Sequence, residues 1–323
     1  MIIFPRIGEN NCNFIKSVVK CRRKGDKIYM YGLVAIDLDG TLLNSYGEVS
    51  TKNKESIQKA VENGVQIVLT SGRPIASVKS LALECGCGPY IICGNGAITY
   101  DMEKNEVIYN RFLEKAKVLQ IIKICEENSI FYAIYREDCI ITKSLNYNIL
   151  FFHQENAKKP EDKKVRINLM QNIYDYVKQS ENQNYLKITI CDGNPIVFKS
   201  IMQKLKNVKN VEVLDVAHMS RKIIKDGTKD VLVEYHYTEI TNKNVDKWGA
   251  IEDLAKRLNI KQEEIMAIGD NANDIEMIKN AGMGVAMGES NSKVKEVADK
   301  IVADNDHDGV AEALNFKFQK KLT

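Results

Sequence analysis

Asp37 directly follows the apolar run LVAI (33–36), and Asp39 comes two residues later. An apolar run of this kind is typical of a strand that is covered on both faces of a parallel sheet. Residues two apart on a strand point to the same side, so we expect both carboxylates to lie together where the strand ends. Carboxylates this close raise each other's pKa unless a cation compensates their charge. The pair therefore predicts a cation site or carboxylate chemistry at this strand end.

Polar residues also follow three other predicted strands. In open parallel sheets the ligand site lies beyond the carboxyl ends of the strands, so we expect these residues to converge on Asp37 and Asp39. Three converging carboxylates suit Mg²⁺, which prefers oxygen ligands and leaves positions open for water and a substrate phosphate. The residues are Ser71 and Gly72 after VQIVLT, Asn95 after YIICG, and Asp270, Asn271, Asn273 and Asp274 after EEIMAIG.

The same residues have the chemistry that phosphoryl transfer requires. A carboxylate can attack phosphorus and form an aspartyl-phosphate, and Asp39 is placed to protonate the leaving oxygen and later to deprotonate water. The transferred group also needs hydrogen-bond donors and positive charge around its oxygens. The candidates are the Ser71 hydroxyl, the backbone N–H groups around Leu38 and Gly72, the Lys247 ammonium and the Asn273 amide.

Each motif has a simpler explanation when it is taken alone. A DxD segment is often a turn, TSGRP is a common helix start with Pro74 in the first turn, and an isolated lysine such as Lys247 is usually solvated. Their joint occurrence, each near the end of a predicted strand, favours catalysis over these structural explanations.

The order of predicted elements indicates how these residues are positioned. Strand and helix signals alternate before residue 97 and again from Lys247 onwards, which predicts an α/β fold with a doubly wound parallel-sheet, Rossmann-like core. Alternating polarity and hairpin turns between these parts predict an antiparallel sheet with helices on one face. We therefore expect a discontinuous core at 30–97 and 243–323, with an α+β domain inserted at 98–242. Residues 1–29 are expected to be an N-terminal extension, either disordered or an upstream artefact.

The composition disfavours several classes of protein. With 44% hydrophobic and 28% charged residues among 323, the chain can bury a core. Its 46 basic and 43 acidic residues are well mixed, so we expect no nucleic-acid and no membrane partner. Most of the eight cysteines lie in apolar runs, which favours a reduced, cytoplasmic protein. A nicotinamide-dependent dehydrogenase is disfavoured because no G-x-G-x-x-G turn follows the first strand.

Four segments carry a family resemblance. DLDGTLLN, LTSGRP, VDKWGAI and AIGDNANDIEMI resemble motifs one to four of the haloacid dehalogenase-like superfamily, although Trp248 stands where the family usually has Gly after the motif-three lysine. The CGNGAI segment and the C-terminal tail resemble its Cof-type sugar-phosphate phosphatases, subclass IIB. The resemblance runs from about Tyr31 to about Phe318. The inserted segment lies between Ser71 and Lys247, as the family's type 2 cap domain does.

The resemblance implies a role for each matching residue. Asp37 would be the nucleophile and Asp39 the general acid and base. The phosphate would be held by Leu38, Ser71, Gly72, Lys247 and Asn273. The Mg²⁺ ion would be held by Asp37, the Asp39 backbone carbonyl, Asp270 and Asn271, with Asp274 behind them to orient Lys247 or a metal-bound water.

The expected function is hydrolysis of small phosphorylated metabolites, with sugar phosphates first, by a monomer or homodimer. A phosphomutase of the same fold and a non-catalytic regulator that binds a phosphorylated ligand are the alternatives. No motif marks the cap residues that select the substrate. Asn95, near the predicted junction with the cap, either contacts substrate or closes the turn.

Overall fold

The computed structural model describes residues 31–181, 184–214, 220–226 and 229–316. The predicted N-terminal extension at 1–29 lies outside these ranges. Within them, no helix has the length and apolar character needed to cross a bilayer.

The first part of the chain alternates strands and helices, as its apolar runs predict. Helix α1 starts after Ser50, whose hydroxyl accepts a hydrogen bond from the backbone N–H of Asn53 at 3.1 Å. The elements are β1 (Leu33–Asp37), α1 (Thr51–Glu62), β2 (Gln66–Thr70), α2 (Ile75–Cys85), β3 (Tyr90–Cys93), β4 (Ile98–Asp101) and β5 (Glu106–Asn110).

The middle part forms an α+β cap. Ile188 and Ile190 of its central strand pack in one apolar cluster with Val118 and Ile121 of its first helix, which covers one face of the cap sheet. The elements are α3 (Lys115–Glu127), β6 (Phe131–Arg136), β7 (Ile140–Thr142), α4 (Asn148–Ala157), β8 (Ile167–Leu169), α5 (Ile173–Gln179), β9 (Tyr185–Asp192), α6 (Pro195–Leu205), β10 (Val211–Val213), β11 (Ser220–Asp226) and β12 (Lys229–Asn242). Helix α4 packs on the other face of the cap sheet.

The last part returns to the alternation of helix and strand. The segment GDNAND contains a short 3₁₀ turn at Ala272–Asp274 before the α-helix begins. The elements are α7 (Lys247–Arg257), β13 (Ile265–Gly269), α8 (Ile275–Asn280), β14 (Met283–Ala286), α9 (Ser292–Val297), β15 (Lys300–Ile301) and α10 (Gly309–Leu314).

The first and last parts together build one sheet in the order β15-β14-β13-β1-β2-β3-β4-β5. Its strands from β15 to β3 are parallel, and both faces are covered. On β1, Val34 and Ile36 pack into one buried cluster, whereas Leu33 and Ala35 pack into another. The predicted fold class, a doubly wound parallel core with an inserted α+β cap, is confirmed.

The hairpin β4–β5 is placed differently from the prediction. We expected residues 98–110 in the inserted domain, but β4 pairs with β3 in antiparallel orientation and extends the core sheet. Alternating polarity and a tight turn identify a hairpin but do not say which sheet it joins. The chain therefore leaves the core sheet after Asn110 rather than near residue 97. The other predicted domain boundaries stay predictions.

Candidate active site

The sheet order brings three of the predicted segments together. Strand β1 lies between β13 and β2 and runs parallel to both. Parallel strands end at the same edge of a sheet, so Asp37, Ser71 and Asp270 emerge side by side. The convergence follows from the strand order and needs no special loop geometry.

A group of three carboxylates, two of them buried and one partly buried, lies at this edge. Oxygen atoms of Asp37, Asp270 and Asp274 are all within 4.8 Å of one another. Burial, together with the charges of Asp274 and Asp270, raises the pKa of Asp37 well above its usual range. Burial and the nearby Asp274 raise the pKa of Asp270 to about 7. Because such a group resists full ionisation without a compensating charge, its oxygen donors could hold a divalent metal ion.

Lys247 supplies one positive charge to this group. It is fully buried, and its Nζ donates to Oδ1 of Asp37 and, at 2.6 Å, to Oδ1 of Asp274. Burial lowers the pKa of Lys247, but the two carboxylates outweigh it and raise the pKa above its ordinary value. Helix α7 begins at this lysine, and Asp246 accepts the backbone N–H of Gly249 at 2.8 Å. The unusual Trp248 therefore does not disturb the helix start.

Asp274 connects the lysine to the loop after β13. Its Oδ2 accepts the backbone N–H groups of Asp270 and Asn271, both at 3.0 Å. The sequence predicted that Asp274 would orient Lys247, and the two side chains are in direct contact. Its carboxylate also belongs to the acidic group itself, which the sequence did not predict.

Asp39 and Asn271 do not place their side chains in this group, although only the backbone carbonyl of Asp39 was expected to hold the metal ion. The Asp39 carboxylate accepts hydrogen bonds from Arg73 Nε at 2.9 Å and Nη2 at 2.7 Å, and it is half-exposed. The Asn271 side chain is exposed, and its oxygen accepts the N–H of Ala272 at 2.7 Å. The expectation that Asp37 and Asp39 share one side is wrong because β1 ends at Asp37, and the alternation of strand side chains ends with it.

The residues predicted to hold phosphate lie around the same edge. Leu38 and Ser71 are buried, and the Ser71 carbonyl accepts the N–H of Asn95 at 3.0 Å. The Asn273 amide donates to Oδ1 of Asn95 at 3.1 Å. Asn95 itself is buried and has a left-handed backbone (φ 59°), so it both closes the turn after β3 and faces the site.

Sequence reasoning missed the partners that the cap contributes. Asn95 donates through Nδ2 to Glu239 of β12, which also accepts from Lys187 of β9 at 2.6 Å. Arg73 reaches Glu155 of α4 at 3.4 Å. The one available signal was the charged Lys187 within the apolar run YLKITI, since a buried lysine in a strand needs a partner.

Comparisons with known proteins agree with this geometry. A family model for haloacid dehalogenase-like hydrolases matches residues 34–314. Phosphatase YwpJ of Bacillus subtilis is 28% identical over 86% of this chain and 97% of its own length. The 5-amino-6-(5-phospho-D-ribitylamino)uracil phosphatase YcsE of the same organism is 27% identical over 87% of this chain and 94% of its own.

A solved structure gives the same result. The crystal structure of a haloacid dehalogenase-like hydrolase from Bacteroides thetaiotaomicron superposes with a TM-score of 0.70 at 28% identity, covering 88% of this chain and 98% of the other. The family and the enzyme class expected from the sequence, a phosphatase, are thereby confirmed. This chain therefore belongs to the haloacid dehalogenase-like hydrolase family.

Proposed function

We propose that this protein is a Mg²⁺-dependent phosphatase that hydrolyses small phosphorylated metabolites, foremost sugar phosphates, through a phosphoaspartate on Asp37. The observation that carries the proposal is the position of Asp37, which lies at the end of the central strand in a buried group with Asp270, Asp274 and Lys247. A carboxylate held in place by a buried ammonium is a pre-positioned nucleophile, and orientation of this kind supplies much of the catalysis of phosphoryl transfer.

In the proposed reaction, a carboxylate oxygen of Asp37 attacks phosphorus, and the bond to the leaving oxygen breaks. Asp39 protonates that oxygen and later takes a proton from the water that hydrolyses the phosphoaspartate. Because Arg73 holds the Asp39 carboxylate in the present arrangement, this ion pair must open for the acid to reach its substrate.

The remaining residues bind the phosphoryl oxygens. Ser71 offers its hydroxyl, Leu38 and Gly72 offer backbone N–H groups, and Asn273 offers its amide. Lys247 balances charge while keeping Asp37 oriented. Such donors stabilise the transferred group most when they are fixed before the reaction.

The donor set fits Mg²⁺. Asp37 and Asp270 would hold the ion with the Asp39 backbone carbonyl, and Asn271 would join them when its side chain leaves the N–H of Ala272. Asp274 supports them from behind. When bound, the ion neutralises charge on the phosphoryl group and on the carboxylates. The raised pKa values of Asp37 and Asp270 support a site whose carboxylates gain from a cation.

The substrate class is supported by relatives that include YcsE. YcsE is named for a phosphorylated ribitylamino compound, which is a small metabolite with a polyhydroxylated chain. Sugar phosphates share that chemistry, a phosphate monoester on a neutral polyol.

Phosphate release from a panel of sugar phosphates, nucleotides and cofactor phosphates tests the proposal, with and without Mg²⁺. We expect release that requires the metal and falls at least about a thousandfold in Asp37→Asn, because the nucleophile is lost. Unchanged release in Asp37→Asn would refute the mechanism. Isomer formation without free phosphate would indicate a phosphomutase, and tight ligand binding without turnover would indicate a regulator.

A further inference from the structure

One face of the cap sheet packs against helices α3, α5 and α6, whereas the opposite face carries helix α4 and the side chains that reach the active site. Ile188, Ile190 and Ile240 pack among the cap helices. The neighbouring positions on the same strands alternate to the opposite face. Lys187 of β9 and Glu239 of β12 lie on that opposite face, where they form an ion pair of 2.6 Å.

This ion pair is joined to the core beside the predicted phosphate-binding residues. Glu239 accepts a hydrogen bond from Asn95, and Asn95 accepts one from Asn273 at 3.1 Å. A Cβ atom placed on Gly72 would lie only 3.0 Å from Lys187 Nζ. The pair is thus adjacent to the loop that would hold the phosphate, on the side from which the cap covers it.

Because this pair is buried, a purely structural role would carry the full cost of removing both charges from water. The side chains of Lys187 and Glu239 are only 4% and 16% exposed. A buried ion pair adds little stability compared with apolar residues of the same size, because both charges lose their hydration. A pair at this position is therefore better explained by what it binds than by stability.

We infer that Lys187 and Glu239 together bind the leaving group of the substrate and select one that is neutral and bears hydroxyl groups. The inference rests on the phosphatase function proposed above. The Lys187 ammonium has three N–H donors, and the Glu239 carboxylate can accept about four hydrogen bonds, so each retains capacity beyond the contacts described. A donor and an acceptor side by side match neighbouring hydroxyl groups, each of which both donates and accepts.

Charge balance sets the selectivity. Lys187 is neutralised by Glu239, and Arg73 pairs with both Asp39 and Glu155, so Arg73 keeps one carboxylate partner when its pair with Asp39 opens. Neither cation is left to attract a second phosphate, and Glu239 would repel one. The arrangement therefore discriminates against substrates that carry a further anionic group.

Fructose 6-phosphate and fructose 1,6-bisphosphate provide the test, because they differ by one phosphate. We expect the wild-type enzyme to have the higher kcat/KM for the monophosphate. Glu239→Gln leaves the Lys187 charge uncompensated and should shift the ratio of the two kcat/KM values about tenfold towards the bisphosphate, mainly through KM. Lys187→Gln leaves Glu239 uncompensated and should shift the ratio in the opposite direction.

Glu126→Gln is the matched control, since Glu126 pairs with Lys143 at 2.7 Å in the same cap but belongs to helix α3. It should leave the ratio unchanged. Equal losses for both substrates in Glu239→Gln and Lys187→Gln would assign the pair to structure alone and overturn the inference. A wild-type preference for the bisphosphate would also overturn the inference. That measurement does not depend on the folding of any variant.

Hydrolysis of p-nitrophenyl phosphate separates the two proposals. If the wild type releases phosphate from this probe in a Mg²⁺-dependent manner while the fructose ratio does not respond to either variant, only the selectivity inference fails. If no probe is hydrolysed, the proposed function fails and the inference fails with it.

Discussion

At the scale of single residues, Lys247 has the most demanding environment in the site. Its ammonium is removed from water and is compensated by Asp37 and Asp274. Breaking a buried ion pair by removing one partner leaves the other charges uncompensated, which costs far more than losing an exposed pair. The lysine therefore stabilises the folded state and, in the proposed mechanism, keeps Asp37 oriented.

We predict that Lys247→Met destabilises the metal-free protein by about 3 to 5 kcal/mol at pH 8, because two buried carboxylates lose their cation. The cost should be smaller at pH 5. Burial already raises the pKa of Asp37, and loss of the ammonium raises it further. A carboxyl group whose pKa is higher in the folded than in the unfolded state loses stability as the pH rises through the folded value. Urea unfolding with a chelator at both pH values measures the difference.

Lys256→Met provides the control on the same helix. Lys256 pairs with Glu252 at 3.1 Å and is 70% exposed, so its removal should change the free energy of unfolding by less than about 0.5 kcal/mol. A Lys247→Met protein as stable as the wild type at pH 8 would contradict the electrostatic argument.

At the scale of elements, the turn after β3 determines where helix α7 starts. Gly96 has φ +94°, and a Cβ atom at this position would lie 2.0 Å from the backbone oxygen of Asp246. Asp246 caps α7, and Lys247 is the first residue of that helix. Contact between two backbones therefore fixes the lysine relative to Asp37.

We predict that Gly96→Ala destabilises the protein by about 2 to 4 kcal/mol, from a strained backbone and an overpacked contact together. It should also reduce kcat, because the helix start that carries Lys247 must move. Gly47→Ala separates the two causes, because Gly47 has φ +78° but open space around its Cβ position. Only the backbone strain, about 1 kcal/mol, should destabilise this variant. Thermal and urea unfolding with steady-state kinetics test both variants, and equal effects would exclude the proposed contact.

The strands and their contacts also show how much of the fold and of the site could be predicted from the sequence. Apolar runs that end in polar residues identified β1, β2, β3 and β13, because a buried parallel strand must be apolar throughout. The same reasoning misplaced Asp39, since strand periodicity does not extend into the turn that follows. It also missed the contacts of Glu239 with Lys187 and Asn95, because pairing between residues so distant in the chain depends on the cap sheet register and on how the cap lies over the core.

At the scale of the whole molecule, Arg73 connects the two domains. It lies after β2 in the core, holds Asp39 through two hydrogen bonds, and reaches Glu155 on helix α4 of the cap at 3.4 Å. Cap domains of this kind gate access to an active site, and their opening and closing contribute to KM. The contact between Arg73 and Glu155 therefore couples the position of the cap to the residue proposed as general acid.

We predict that Glu155→Gln raises KM by up to about fivefold and leaves kcat nearly unchanged, because a partly exposed ion pair contributes at most about 1 kcal/mol to the closed arrangement. The free energy of unfolding should not change measurably, since the cap retains an apolar cluster around Ile188 and the core retains another around Leu33. Salt screens partly exposed pairs, so KM of the wild type should increase with ionic strength more steeply than KM of Glu155→Gln.

Glu161→Gln, which removes an exposed pair with Lys164 elsewhere in the cap, should retain the wild-type salt dependence. If Glu155→Gln responds to salt as the wild type does, this ion pair does not contribute to closure, and the coupling between the cap and Asp39 must be carried by other contacts.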